Sequence, residues 1–353
     1  MHPRWFMRDR SLSILAALLI VLASLSLAYR HVRADDSLSG QWTLERSGDG
    51  VQLTLRYHHG GGYGFNTTTE SHREALSSFK GLDLHALESA GTQSQFDVIR
   101  DAGTFHCKGW FAHGSASGEW TFTQSPQFAE ALVSKGVGRP DLYQTMRLAM
   151  GNAQLQLVDR LKQAGYSFDV EDLIKAVNHG VDLEYVRGMA DLGYKPDSLQ
   201  DLIRMRDHGV DPEYVNELVA AGLGKLPASE VVRMRDHGVD AEYIRGLKRY
   251  GITNLSGDEL AKLRDHGVDP EYIAGMQAVG INTSPQDWIR LRDHGVDPEY
   301  AKDLRSAGLN ASAEDMIHLR DHGVDADYVR HYGKGHSAAE LIQMHDHGVR
   351  ATI

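Results

Sequence analysis

From about residue 167 onward, apolar side chains come in short stripes at helical spacing, and each stripe is closed by a glycine. Leu260 and Leu263 make one stripe, followed by Gly267; Tyr272, Ile273 and Met276 make the next, followed by Gly280. The pattern recurs. Arg-Asp-His-Gly stands at 206–209, 235–238, 264–267, 292–295 and 320–323, with weaker copies at 177–180 and 345–348. Successive His-Gly steps are 29, 29, 29, 28, 28 and 25 residues apart. A fixed period of this size marks a solenoid of about seven stacked units.

One unit can be built from its own residues. Ser256 with Glu259 is a capping box that opens a helix, and Ser198, Ser284, Ser312 and Ser337 hold the same place. Gly267 supplies the left-handed residue that stops it. Asp269 caps the second helix and Pro270 takes its first position. Two short helices and two tight turns use up the period. Helices below roughly 12 to 15 residues are marginal alone in water, so stacking must bury the stripes. Residues 328–333 break the second-helix pattern, which predicts a truncated helix before a carboxy-terminal cap at 337–353. Residues 142–165 keep the spacing of a unit without its His-Gly, as expected of a degenerate capping repeat, and 127–135 reads as a connecting helix.

Ahead of the repeats the period changes to two. Trp42-Thr43-Leu44, Val51 to Leu55, Phe96 to Ile99 and Trp120-Thr121-Phe122 are β-prone and partly alternating, with glycine-rich turns between them. This predicts a small all-β sandwich or partly closed barrel. Gly40-Gln41-Trp42 and Gly118-Glu119-Trp120 bracket it, each tryptophan expected to plug one end of the core. Residues 11–28 are an uncharged apolar run preceded by Arg4, Arg8 and Arg10, the pattern of an export signal. The run also reaches the lower edge of a bilayer span, so an uncleaved anchor is the alternative. Either one places the body in the periplasm or on the outer face of the inner membrane, with membrane contact only through 11–28. The expected class is therefore α+β multidomain. Residues 1–34 are signal or anchor, 35–125 all-β, 126–166 connecting helix and capping repeat, and 167–353 an α-solenoid of two-helix repeats of 28–29 residues.

Composition adds two limits. The chain is 41% hydrophobic and 24% charged, as globular proteins are, and carries a net charge of -11. Residues 1–34 hold five arginines and one aspartate, so the body is more acidic still. That argues against phosphate binding, and nucleic acid is not expected as a partner. A single cysteine, Cys107, rules out an intrachain disulfide.

The candidate chemistry lies in the repeated motif. His208, His237, His266, His294 and His322 close the first helices. A shared metal is disfavoured, because packed helices lie roughly 8 to 10 Å apart whereas His-ligated zinc needs about 2.0 to 2.1 Å. The simpler role is a ring bonded to a free carbonyl at the helix end; a joint pH response is the sharper one. Arg206, Arg235, Arg264, Arg292 and Arg320 recur in register with Asp207, Asp236, Asp265, Asp293 and Asp321. They read as ladders in which each arginine reaches an aspartate of the next repeat, or as a charged recognition stripe. His106, Cys107 and His113 cluster in sequence, but neighbouring strand residues point to opposite faces. No His-Glu-x-x-His, Gly-x-Ser-x-Gly, phosphate loop or dinucleotide fingerprint occurs. No catalytic residue, cofactor or metal ligand is assigned.

Arg100-Asp101-Ala102-Gly103-Thr104-Phe105, with Gly109-Trp110-Phe111 after it, resembles a β module of bacterial membrane metallopeptidases of the β-lactam-sensor type. Asp265-His266-Gly267-Val268-Asp269-Pro270-Glu271-Tyr272 and its copies resemble the helical repeats that accompany that module. The peptidase motif and its multi-helix membrane domain are missing, so the activity does not carry over. The resemblance implies an extracytoplasmic accessory or sensing module. The expected function is protein or peptide binding on the solenoid, in an envelope signalling system; an enzyme with a site in or beside the β domain and a structural spacer are the alternatives.

Overall fold

The computed structural model describes residues 38–48, 50–60 and 65–349. The apolar run at 11–28 lies outside them. The chain divides into two compact units. One runs to Ala131 and includes Arg139–Asn152; the other comprises Leu132–Gly138 and Ala153–Ile353.

The first unit is one antiparallel sheet of seven strands. They are β1 Ser39–Ser47, β2 Gly50–Gly60, β3 Phe65–Glu74, β4 Phe79–Lys80, β5 Thr92–Arg100, β6 Gly103–Ala112 and β7 Ser115–Gln124. Their order is β3-β2-β1-β7-β6-β5-β4. The sheet is strongly curled. The rings of Trp42 on β1 and Phe96 on β5 lie 4.9 Å apart, although these strands are three steps apart, about 14 Å in a flat sheet. Glu74 on β3 and Arg100 on β5 stand five steps apart and still form a buried ion pair. Of the two expected forms, the sheet therefore takes the partly closed barrel.

The two Gly-x-Trp motifs send their buried rings toward opposite ends of β6, Trp42 against Phe111 and Trp120 against Phe105. They lie on neighbouring strands in register, Gly40 opposite Trp120 and Trp42 opposite Gly118. Trp42 Nε1 donates to the Glu119 carbonyl and Trp120 Nε1 to the Gln41 carbonyl, both at 3.0 Å. A Cβ at Gly40 would sit 2.5 Å from the Trp120 ring, so glycine there is a packing requirement. A short helix α1 (Leu84–Leu87) precedes β5, and helix α2 (Pro126–Ser134) follows β7. Helix α3 (Leu142–Met150), expected as half of a capping repeat, packs on β6 and β7 instead. His72 on β3 bonds its last carbonyl, Met150 O, at 3.1 Å.

The second unit is a stack of helices in two rows. Helices α4 (Leu155–Gln163), α6 (Leu183–Asp191), α8 (Pro212–Ala220), α10 (Ala241–Arg249), α12 (Pro270–Ala278), α14 (Pro298–Ser306) and α16 (Ala326–Tyr332) are the second helices of successive repeats. The first helices are α5 (Val170–Asn178), α7 (Leu199–Asp207), α9 (Ala228–Asp236), α11 (Gly257–Asp265), α13 (Pro285–Asp293), α15 (Ala313–Asp321) and α17 (Ala338–Asp346). First helices pack on first helices and second on second, one repeat along. Each helix has nine residues except α16, which is cut to seven where the sequence pattern breaks. The caps form as expected: Ser256 and Glu259 make a full capping box, Asp269 accepts from the Tyr272 amide, and Gly267 has φ +67°. Among the described residues, no helix is long and apolar enough to cross a membrane.

Candidate functional site

Consecutive repeats are joined by three kinds of contact, all made by the repeated motif. The first is a histidine–aspartate rung. Nδ1 of His179, His208, His237, His266, His294 and His322 lies 2.6–2.9 Å from a carboxylate oxygen of Asp207, Asp236, Asp265, Asp293, Asp321 and Asp346 respectively. The carboxylate can only accept when ionised, which sets the proton on Nδ1. The sequence predicts these rings bonded to a free carbonyl of their own helix. They do so only where a later rung partner is missing among the described residues: His347 Nδ1 donates to Gln343 O at 2.7 Å.

The second contact takes the arginines. Arg206, Arg235, Arg264, Arg292 and Arg320 each lie over the ring of a tyrosine one repeat earlier: Tyr185, Tyr214, Tyr243, Tyr272 and Tyr300, at 4.7–5.0 Å. Arg206 Nε also donates to Gly180 O at 3.0 Å. The expected arginine–aspartate ladder therefore does not form. Arginine prefers the ring because its planar cation stacks on an aromatic face, and histidine has already taken the aspartate. The third contact belongs to the same tyrosines. Their hydroxyls donate to the carbonyls of Val210, Val239, Val268, Val296 and Val324 in the following repeat at 2.6–2.9 Å. Burial raises all five phenols above their usual value, against the lowering effect of the neighbouring arginine, and Tyr300 is pushed up to about 12.

Gly and Pro form a fourth fit that the motif alone does not reveal. A Cβ at Gly188, Gly246 or Gly275 would lie 2.4–2.6 Å from Cγ of Pro212, Pro270 or Pro298 on the next second helix. Where the next helix opens with alanine instead, at Ala241 and Ala326, the matching positions carry Glu217 and Asp303. Each repeat thus fits its own successor.

The sequence cluster in the β unit splits as strand geometry requires. Cys107 points inward and is buried, and burial pushes its thiol up. His106 faces outward and bonds Asp97 at 2.8 Å and Thr123 at 3.1 Å. It borders a shallow hollow of about 1070 Å³, with Gln41, Gln95, Lys108 and Glu119. Among the described residues, no group of three or more His, Cys, Asp or Glu side chains is placed to hold a metal ion. Comparison with protein-family models, curated proteins and solved structures finds no match.

Proposed function

We propose that the chain is an extracytoplasmic binding protein whose repeats present a surface to a protein or peptide, as an accessory or sensing part of an envelope signalling system. The supporting observation is how the motif is spent. The arginines, tyrosines and Asp-His pairs of its central copies reach neighbouring repeats, so these side chains are engaged within the stack and the positions that vary between copies are left for recognition. A rigid frame with variable surface positions suits recognition. We accordingly assign the Arg/Asp stripe to holding the stack. The resemblance to modules of sensor-type metallopeptidases and the Arg-rich apolar amino terminus support the envelope setting. Crosslinking the full-length protein in its native cell, followed by mass spectrometry, tests the reading. Crosslinks from repeat residues to one recurring protein are expected; a repeat region that yields none contradicts it.

A further inference from the structure

Asp97, His106 and Thr123 stand on three neighbouring strands, β5, β6 and β7. Their neighbours Phe96, Cys107 and Phe122 are buried in the core, so by strand alternation all three side chains point away from it. Asp97 lies directly opposite His106 on β5. On the other side Thr121 lies opposite His106, and Thr123 is its diagonal neighbour on the same face.

The direction of the two bonds decides what the hydroxyl can do. An ionised Asp97 can only accept, so the proton in its 2.8 Å bond belongs to His106 Nδ1. Nε2 then presents a lone pair, and the Thr123 hydroxyl, 3.1 Å away, donates to it. A hydroxyl is thus held on a base that a carboxylate orients, the arrangement of an activated nucleophile. Among the described residues, His106 is the one histidine bonded to a carboxylate by one ring nitrogen and to a hydroxyl by the other. The group is open to a reactant: the side chains of His106 and Asp97 are 43% and 34% exposed, and Thr123 is exposed.

We propose that Thr123 is the nucleophile of an acyl-transfer site for carboxylic esters, with His106 as general base and Asp97 as positioning residue. His106 Nε2 takes the hydroxyl proton as Thr123 Oγ1 bonds the carbonyl carbon. The bond from that carbon to the alcohol oxygen breaks, and the alcohol leaves with the proton. Water then attacks the Thr123 ester with His106 again as base, the free acid departs, and the proton returns to Oγ1. The surroundings sort the two halves of the ester. Ile99 is 52% exposed and shares a row with Thr104 and Thr123, where it offers an apolar contact to the acyl part. On the other side of His106, the hollow bordered by Gln41, Gln95, Lys108 and Glu119 suits a polar alcohol part. The inference is independent of the repeats as a binding surface.

Incubating the full-length protein with p-nitrophenyl acetate tests it. Nitrophenol should be released faster than in buffer. Mass spectrometry should find acetyl on Thr123, removable by hydroxylamine as an ester is and acetyl-lysine is not. Thr123→Val keeps the shape of an exposed side chain and loses the hydroxyl; it should lower the protein-dependent rate about a hundredfold, and Thr123→Ser should retain it. His106→Gln should cost about a hundredfold as well and flatten the rise of rate from acid to neutral pH. Asp97→Asn should lower kcat and leave KM unchanged, because it disturbs the base and not the hollow. A rate no higher than buffer, acetyl on lysines alone, or a rate that Thr123→Val leaves unchanged overturns the inference.

Discussion

Tyr243 shows how much one side chain of the motif is asked to do. It is buried, its amide is capped by Asp240, its ring carries Arg264, and its hydroxyl donates to Val268 O at 2.7 Å. Tyr243→Phe leaves that buried carbonyl without its donor, so urea unfolding should show a loss of about 1 to 3 kcal/mol. His237→Ala should cost far less, about 0 to 1 kcal/mol, because the His237–Asp265 rung is more than a third exposed on each side. The tyrosines also set a pH limit. Their folded values lie above the unfolded value near 10, so the stability they contribute is complete below pH 10 and drains away as pH climbs through 10 toward the folded values, about 12 for Tyr300. Thermal melts should hold level up to about pH 9 and fall steeply by about pH 11; a flat profile through pH 11 contradicts this.

Helices and caps are the most legible elements, because their causes are local. Serine at the first cap, Asp-Pro at the second and a left-handed glycine between them act within a few residues, and all three stand where the sequence puts them. The contacts between repeats are less legible. His266 finds Asp293 and Arg292 finds the Tyr272 ring because of how neighbouring repeats stack, which no single repeat encodes. One inter-repeat signal is present in the sequence but gains its meaning only from the packing, the pairing of glycine with the following repeat's proline. Gly246→Ala should destabilise by about 1 to 3 kcal/mol, since its Cβ would meet Pro270 Cγ at 2.4 Å. Adding Pro270→Ala should recover most of that loss. Additive effects in this double-mutant cycle would show that the two positions do not touch.

For the molecule as a whole, the division into strands and then helical repeats follows from the change of hydrophobic period. The curl of the sheet does not, because it depends on side chains meeting across several strands, such as Trp42 with Phe96 and Glu74 with Arg100. The capture of α3 by β6 and β7 is hidden for the same reason. The repeats make their contacts with the next one along, so their stability should spread from neighbour to neighbour. Hydrogen exchange read by mass spectrometry on Tyr243→Phe tests that most directly. Protection should fall most in α10 and in the turn and helices either side of Val268, and progressively less toward α4 and α17. A uniform fall from residue 155 to residue 349, as from a single closed core, would contradict a stack held together between neighbours.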